Sequence, residues 1–334
     1  MSTVGVLGGG SWGTALALLL RGSGRRVRVW EYDRDQCGRI AAEGENKKFL
    51  PGIEIPSDVP FSSDMEEVIR GSDAVVFVVP SKVFRDVARS AASAGITLEA
   101  LKVIATKGLE GGSLLRMSQV LGEELHGVSD RTAVVAGPSH AEEVSRGVPT
   151  AVVAASEDEG VAKEAQELFM TSTFRVYTNT DLLGVELGVA VKNVIAVAAG
   201  ICDGIGFGDN TKGALLTRGL AEIMRLGAAM GAKNETFFGL AGVGDLVTTC
   251  LSRHSRNRFV GEEIGKGRKL RDVLENMVMV AEGVHTAKAA LTLSERHAVE
   301  MPITEQVNAV LFEEKDPTAA IQELMSRKRK AEVF

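Results

Sequence analysis

Three observations predict an α/β fold, with an N-terminal doubly wound sheet followed by an all-α C-terminal domain. Short apolar runs of strand length alternate with helically spaced segments over the first half of the chain. A glycine-rich turn follows the first of these runs. Past residue 180 the strand-like runs nearly stop and long apolar helical patterns take over. The 334 residues, 45% hydrophobic and 25% charged, suit two globular domains. The expected boundary gives domains 1–180 and 181–334, divided at Asn179-Thr180-Asp181, a polar stretch suited to capping a helix.

The elements follow in order. Val4 to Leu7 is an apolar run ending in glycines, and Trp12 to Leu20 is apolar and helical in character. Arg26 to Trp30 alternates with period two and reads as a strand. Ala74 to Val79, Val103 to Ala105, Ala133 to Ala136 and Ala151 to Ala154 are further strand-length runs. Continuous apolar runs fit parallel strands covered by helices on both faces. Val83 to Ala92 and Leu114 to Leu125 carry helical spacing between them. Beyond the boundary, Leu182 to Ile201, Ala214 to Met230, Leu270 to Asn276, Thr286 to Arg296 and Ile303 to Phe312 read as helices. A last helix, Thr318 to Ser326, has Pro317 in its first turn.

Composition narrows the function. Lys and Arg total 38 against 44 Asp and Glu, a formal net charge of -6. That balance argues against general nucleic-acid binding, which needs a basic face. The basic run Arg327 to Lys330 reads as a solvated helix end. Cys37, Cys202 and Cys250 are too few and too scattered for a disulfide scaffold or a CxxC metal motif, so they read as reduced thiols. No His, Cys and Asp cluster stands at metal-ligand spacing. Glu186, Lys192 and Asn193 interrupt the longest apolar run, which argues against membrane insertion. The N-terminus lacks a basic leader, and the expected location is the cytoplasm.

The glycine turn is the first functional signal. Gly8-Gly9-Gly10-Ser11-Trp12-Gly13 matches G-x-G-x-x-G between an expected strand and an expected helix. Gly8 allows the tight turn, Gly10 lets the backbone approach a pyrophosphate, and Gly13 lets the helix pack on the strand. Free N–H groups at the helix start then face the phosphate. The expectation is a Rossmann-type domain binding NAD(H) or NADP(H). At the end of the second strand, Glu31 or Asp33 would repel the 2′-phosphate of NADP, and Arg34 could partly offset that. The reading leans to NADH.

The helical half supplies the chemistry. Lys192 lies in a run that is apolar all round, so its ammonium should be buried and needs a partner or a function. Burial lowers a lysine's pKa and suits it to acid–base work, although a structural lysine–aspartate pair is the other explanation. Asp245 follows glycines in an apolar stretch and could hold Lys192 or a substrate hydroxyl. Ser255-Arg256-Asn257 offers a guanidinium fork and hydrogen bonds for a phosphate, or a helix cap with a solvated arginine. Lys107 and Ser139 follow strand ends, where open α/β sheets bind ligands. His140 is a weaker candidate for a general acid, beside Pro138 and an expected helix start. Other readings are a dehydrogenase of a 3-hydroxy acid or sugar acid, and a non-catalytic dinucleotide sensor.

Several long motifs, in order along nearly the whole chain, resemble NAD(P)-dependent glycerol-3-phosphate dehydrogenase of the bacterial cytosolic type. They are residues 8–15, Thr106 to Glu110, Gly137 to Val144, Lys192 to Gly200 with Asp203-Gly204 and Gly208-Asp209-Asn210, Gly242 to Leu246, His254 to Asn257, and Val280 to Gly283. The resemblance implies reversible hydride transfer between NAD(P)H and dihydroxyacetone phosphate, giving sn-glycerol 3-phosphate for phospholipid synthesis. It implies Lys192 as the catalytic acid/base. Lys107, Gly137, Ser139, Asp245, Ser255, Arg256 and Asn257 would bind substrate. Gly8, Gly10, Ser11, Trp12, Gly13, Lys107, Ala141, Arg256, Val280 and Glu282 would bind the cofactor. No metal is implied. A homodimer is expected from the helical half. Two positions depart from the family pattern: Val189 stands where glycine is usual, and Tyr32-Asp33 lacks the basic or histidine residue of many relatives.

Overall fold

In the computed structural model the described residues are 2–125, 131–329 and 331–332, so Lys330 of the basic run lies outside them. The chain divides into two compact units. One comprises Met1–Lys107 and Leu115–Leu182; the other comprises Gly108–Leu114 and Leu183–Phe334.

The first unit contains β1 (Thr3–Leu7), α1 (Ser11–Gly22), β2 (Arg26–Trp30), α2 (Arg34–Glu43), β3 (Phe61–Ser62), α3 (Met65–Ile69), β4 (Ala74–Phe77) and α4 (Ser81–Ser93). It continues with β5 (Leu101–Ile104), α5 (Met117–Glu124), β6 (Thr132–Ala136), α6 (Ala141–Val144), β7 (Thr150–Ala155), α7 (Glu159–Phe169) and β8 (Phe174–Asn179). The strands form one sheet in the order β3-β2-β1-β4-β5-β6-β7-β8. The pairs from β3 to β6 are parallel, with Val4 opposite both Val27 and Ala74. The valines and alanines of β1, β4, β5 and β6 fill the core beside Leu16, Leu20 and Phe169. Asp33, Asp64 and Asp158 cap α2, α3 and α7 through side-chain oxygens, satisfying N–H groups that a helix start leaves open.

The expected parallel winding breaks at β7, which runs antiparallel to β6 and parallel to β8. The helix between β6 and β7, α6, is only four residues long, too short to cover the sheet as the crossover helix of a parallel pair does. Strand β8 has no counterpart among the expected runs. It alternates buried and exposed residues, the pattern of an edge strand rather than a covered one. The helix expected from Leu114 begins at Met117, because Gly108–Leu114 belongs to the other unit and lays Leu109 and Leu114 into its core.

The second unit is helical: α8 (Leu182–Ile205), α9 (Asp209–Met230), α10 (Asn234–Phe237), a π-helical turn (Leu240–Gly244), α11 (Asp245–Leu251), α12 (Arg256–Gly265), α13 (Leu270–Glu275), α14 (Glu282–Arg296), α15 (Pro302–Phe312) and α16 (Pro317–Ser326). Helix α8 is long and apolar enough to cross a membrane, yet 89% of its most apolar window is buried as the unit's core. Its apolarity on every face therefore reflects neighbours on every side. Glycines let α12 touch it: a Cβ on Gly200 would lie 1.9 Å from the Arg258 carbonyl, and one on Gly261 would lie 2.0 Å from that of Val197. Backbones at that separation leave no room for any side chain.

Candidate active site

The glycine loop opens at the C-terminal end of β1. Gly8 has φ +129°, which side chains disfavour, and its N–H donates to the Trp30 carbonyl at 3.0 Å. A Cβ on Gly13 would lie 1.8 Å from the Gly8 carbonyl, so the first turn of α1 can fold back only without one. Above Gly10, the N-cap, a Cβ would meet nothing within 4 Å. Helix α1 has no side-chain cap and no acidic residue in its first turn. Its positive end thus favours an anion. Trp12 is half-buried against Ala15, Leu50, Ile53 and Ala141, and its indole N–H has no partner among the described residues. These features fit a dinucleotide phosphate: room over Gly10, main-chain donors, and no acidic residue in the first turn of α1.

Next to the loop, Lys107 Nζ and Ser139 Oγ both donate to the carbonyl of Gly137, each at 2.9 Å. Gly137 has φ +146°, and a Cβ there would press on Val152 at 3.0 Å. Lys107 and Ser139 are both half-buried, beyond the ends of β5 and β6. Ala141 is buried at the start of α6, and His140 takes its N-cap position.

In the helical unit, Lys192 is 3% exposed. Its ammonium donates to Thr249 Oγ1 at 2.5 Å and pairs with Asp245 Oδ1 at 3.1 Å. Thr249 in turn donates to Asp245 Oδ1 at 3.2 Å. Asp245 and Thr249 stand one turn apart on the buried face of α11. The π turn ahead of α11 is tight: a Cβ on Gly242 would lie 1.9 Å from the Phe237 carbonyl. Gly188, one turn before Lys192, leaves space for the carbonyl of Ala241, one turn before Asp245. Val189, the departure from the family pattern, is buried beside it, and its carbonyl accepts from Asn193 Nδ2 at 3.2 Å. Removing the two charges from water is costly, so the bridging hydroxyl matters: it accepts from the ammonium and donates to the carboxylate. Burial pushes the neighbouring Cys250 thiol up to about 12, so it stays neutral.

The Ser255-Arg256-Asn257 triplet divides its work. Ser255 caps α12, its Oγ accepting from Arg258 N–H at 3.2 Å. Asn257 is buried; its Nδ2 donates to Asn193 Oδ1 at 2.9 Å and its Oδ1 accepts from Gly283 N–H at 2.8 Å. Arg256 is exposed at the first position of α12. Val280 and Glu282 are half-buried at the start of α14. Sequence reasoning named Lys192 and Asp245 but missed Thr249; a hydroxyl four places after Asp245, on the same helix face, was the available signal. It also missed Asn193, which ties α8 to α12.

The comparisons agree along the whole chain. Residues 3–162 match the NAD-dependent glycerol-3-phosphate dehydrogenase N-terminus, and residues 181–322 match the C-terminus of the same family.

The chain belongs to this family.

The glycerol-3-phosphate dehydrogenase (NAD(P)+) of Pelotomaculum thermopropionicum is 53% identical, over 97% of this chain and 93% of that protein. The Bacillus subtilis enzyme of the same name is 49% identical, over 98% and 95%. The crystal structure of glycerol-3-phosphate dehydrogenase from Coxiella burnetii superposes with a TM-score of 0.92 at 40% identity, covering 98% of this chain and 99% of that one.

Proposed function

We propose that the chain catalyses reversible reduction of dihydroxyacetone phosphate to sn-glycerol 3-phosphate with NAD(P)H. The carrying observation is the buried Lys192, Thr249 and Asp245 cluster, within a chain that belongs to the dehydrogenase family. Ketone reduction needs a hydride at carbon and a proton at oxygen. The bound nicotinamide supplies the hydride. Lys192 as ammonium polarises the carbonyl and gives its oxygen the proton; in the reverse direction the neutral amine takes the hydroxyl proton. Asp245 and Thr249 fix the position of Nζ throughout.

The substrate's phosphate is held by Arg256, the first residue of α12, with the positive end of that helix adding to the attraction. Lys107, Gly137 and Ser139 contribute a second polar group of contacts. Ser255 and Asn257 act by setting the start of α12 as well as by any contact of their own. Phosphate binding then orients the reacting carbon. Gly8, Gly10, Ser11, Trp12 and Gly13 would hold the dinucleotide phosphates, with Ala141 beside them and Lys107, Arg256, Val280 and Glu282 completing its contacts. On this reading the sheet unit binds cofactor and the helical unit carries substrate and proton.

The proposal includes a homodimer in the cytoplasm, making the glycerol phosphate backbone of phospholipids. Three buried free cysteines suit a reducing compartment. Light scattering should give twice 35.4 kDa; a monomer would remove the dimer from the reading. The test of the reaction follows nicotinamide absorbance with dihydroxyacetone phosphate, with Lys192→Ala as control. Oxidation that disappears in the variant supports the assignment. Tight cofactor binding without turnover would overturn it.

A further inference from the structure

The chain between α2 and β3 closes on itself beside the glycine loop. Ile55 N–H donates to the Gly44 carbonyl at 2.7 Å, and Leu50 N–H to the Asn46 carbonyl at 2.8 Å. Gly52 N–H donates to Glu45 Oε1 at 2.7 Å. Leu50 and Ile53 cluster with Trp12 and Ala15 of α1, so the closed segment braces that helix. Asn46 is the polar end of the brace and is fully buried.

The Asn46 carboxamide joins three elements. Its Nδ2 donates to the Gly9 carbonyl at 2.8 Å and to Thr14 Oγ1 at 2.9 Å, tying the glycine loop to the first turn of α1. Its Oδ1 accepts from Gln36 Nε2, on α2, at 2.9 Å. Gln36 is buried too, and its Oε1 accepts from Arg39 at 2.9 Å. This relay of donors fixes which way each amide faces. On its other side, Gly9 N–H donates to the Glu31 carboxylate, and a Cβ on Gly9 would lie 2.7 Å from Glu31 Oε2.

A peptide unit is planar and trans, so its carbonyl and the following N–H point opposite ways. Drawing the Gly9 carbonyl in to Asn46 therefore turns the Gly10 N–H away from the buried side. We infer that Asn46 is a positioning residue for the nucleotide: from outside the glycine motif, it holds the Gly9–Gly10 peptide in the orientation that offers this N–H to the pyrophosphate. The assignment deepens the nucleotide-dependent reading proposed above and rests on it. Asn46 is fully buried and touches no ligand itself. Two adjacent glycines have little preference of their own. Without the anchor their peptide rotates, and only the fraction in the competent orientation binds.

The test is calorimetric titration of the full chain with NADH and with ADP-ribose, and displacement of NADH by adenosine, which has no phosphate. Asn46→Ala should weaken NADH and ADP-ribose about tenfold each, and adenosine by less than about twofold. Gln36→Glu keeps the side-chain shape and the Arg39 contact, but replaces the donor to Asn46 with an acceptor. The Asn46 amide must then flip and present oxygen to Gly9. This variant should give the same ligand pattern, and should add nothing in an Asn46→Ala background. A lesion of stability alone would lower the melting temperature and the number of sites while the folded fraction kept its affinities. That result, equal weakening of all three ligands, or additive effects of the two substitutions would overturn the assignment. A chain that shows the expected pattern but leaves dihydroxyacetone phosphate unreduced would overturn the reaction and leave this assignment standing. One that reduces it with an unchanged KM for NADH in both variants would do the reverse.

Discussion

The two units build their functional groups from different material. The sheet unit uses main chain from consecutive residues: Gly8 to Gly13 shape a loop whose amides and open space do the binding. The helical unit uses side chains that meet only after folding. Lys192 and Thr249 are 57 residues apart, and the hydroxyl joins a lysine and an aspartate shielded from water. A main-chain site fails when a side chain is added to it. A side-chain site fails when one is removed.

Substitutions can break this contrast, and the largest effect belongs to Lys192→Ala. General acid catalysis sets the expected fall in kcat on the order of a thousandfold, with NADH affinity unchanged by calorimetry. Thr249→Val should lower kcat less, because Asp245 still reaches the ammonium. Gly13→Ala is the opposite kind of lesion. Its added methyl meets the Gly8 carbonyl, so thermal or urea unfolding should register a loss of about 3 kcal/mol along with weakened nucleotide binding.

Glu222 sharpens the comparison from outside the site. It is 1% exposed on α9 and receives the N–H groups of Ile303 and Thr304 and the Thr304 hydroxyl, capping α15 from another helix. Burial pushes its carboxyl from 4.5 up to about 7, with the three hydrogen bonds opposing. The folded-state value exceeds the unfolded one, so its contribution to stability falls as pH rises from about 4.5 through about 7, then levels off. Urea unfolding at pH 5.5 and 7.5 should differ by about 2 kcal/mol from this group, and Glu222→Gln should remove the difference. An equal slope in the variant would place the titrating group elsewhere. The smallest expected effect is Asn257→Ala, which cuts the link from Asn193 to Gly283. It should lower stability by about 1 kcal/mol and raise the KM for dihydroxyacetone phosphate, since α12 also presents Arg256.

Legibility in the sequence followed the same division. The runs at Arg26 to Trp30 and Ala133 to Ala136 were readable because covered strands are continuously apolar or strictly alternating. Strand β8 was not, since the outward-facing Tyr177 blurs the alternation that Phe174, Arg175 and Val176 begin. Helix α7 escaped because its buried face, Val161, Ala162, Ala165, Leu168 and Phe169, is interrupted by charged residues that look loop-like without the sheet beneath. Of the charged turn after β2, the sequence offered Glu31, Asp33 and Arg34 as equals. Only the fold separated the helix cap from the residue against Gly9.

By itself the sequence determined the alternating architecture, the helical second half, the glycine loop and the conspicuous Lys192. Each follows from spacing between near neighbours or from a charge placed where apolar residues surround it. Tertiary structure decided the reversal of β7, the insertion of Gly108–Leu114 into the helical unit, and the partners of Lys192, Asn257 and Glu222. Those outcomes depend on which helices approach closely enough to share hydrogen bonds. That approach is set by glycines such as Gly188, Gly200 and Gly261, whose missing side chains have meaning only against the backbone they meet.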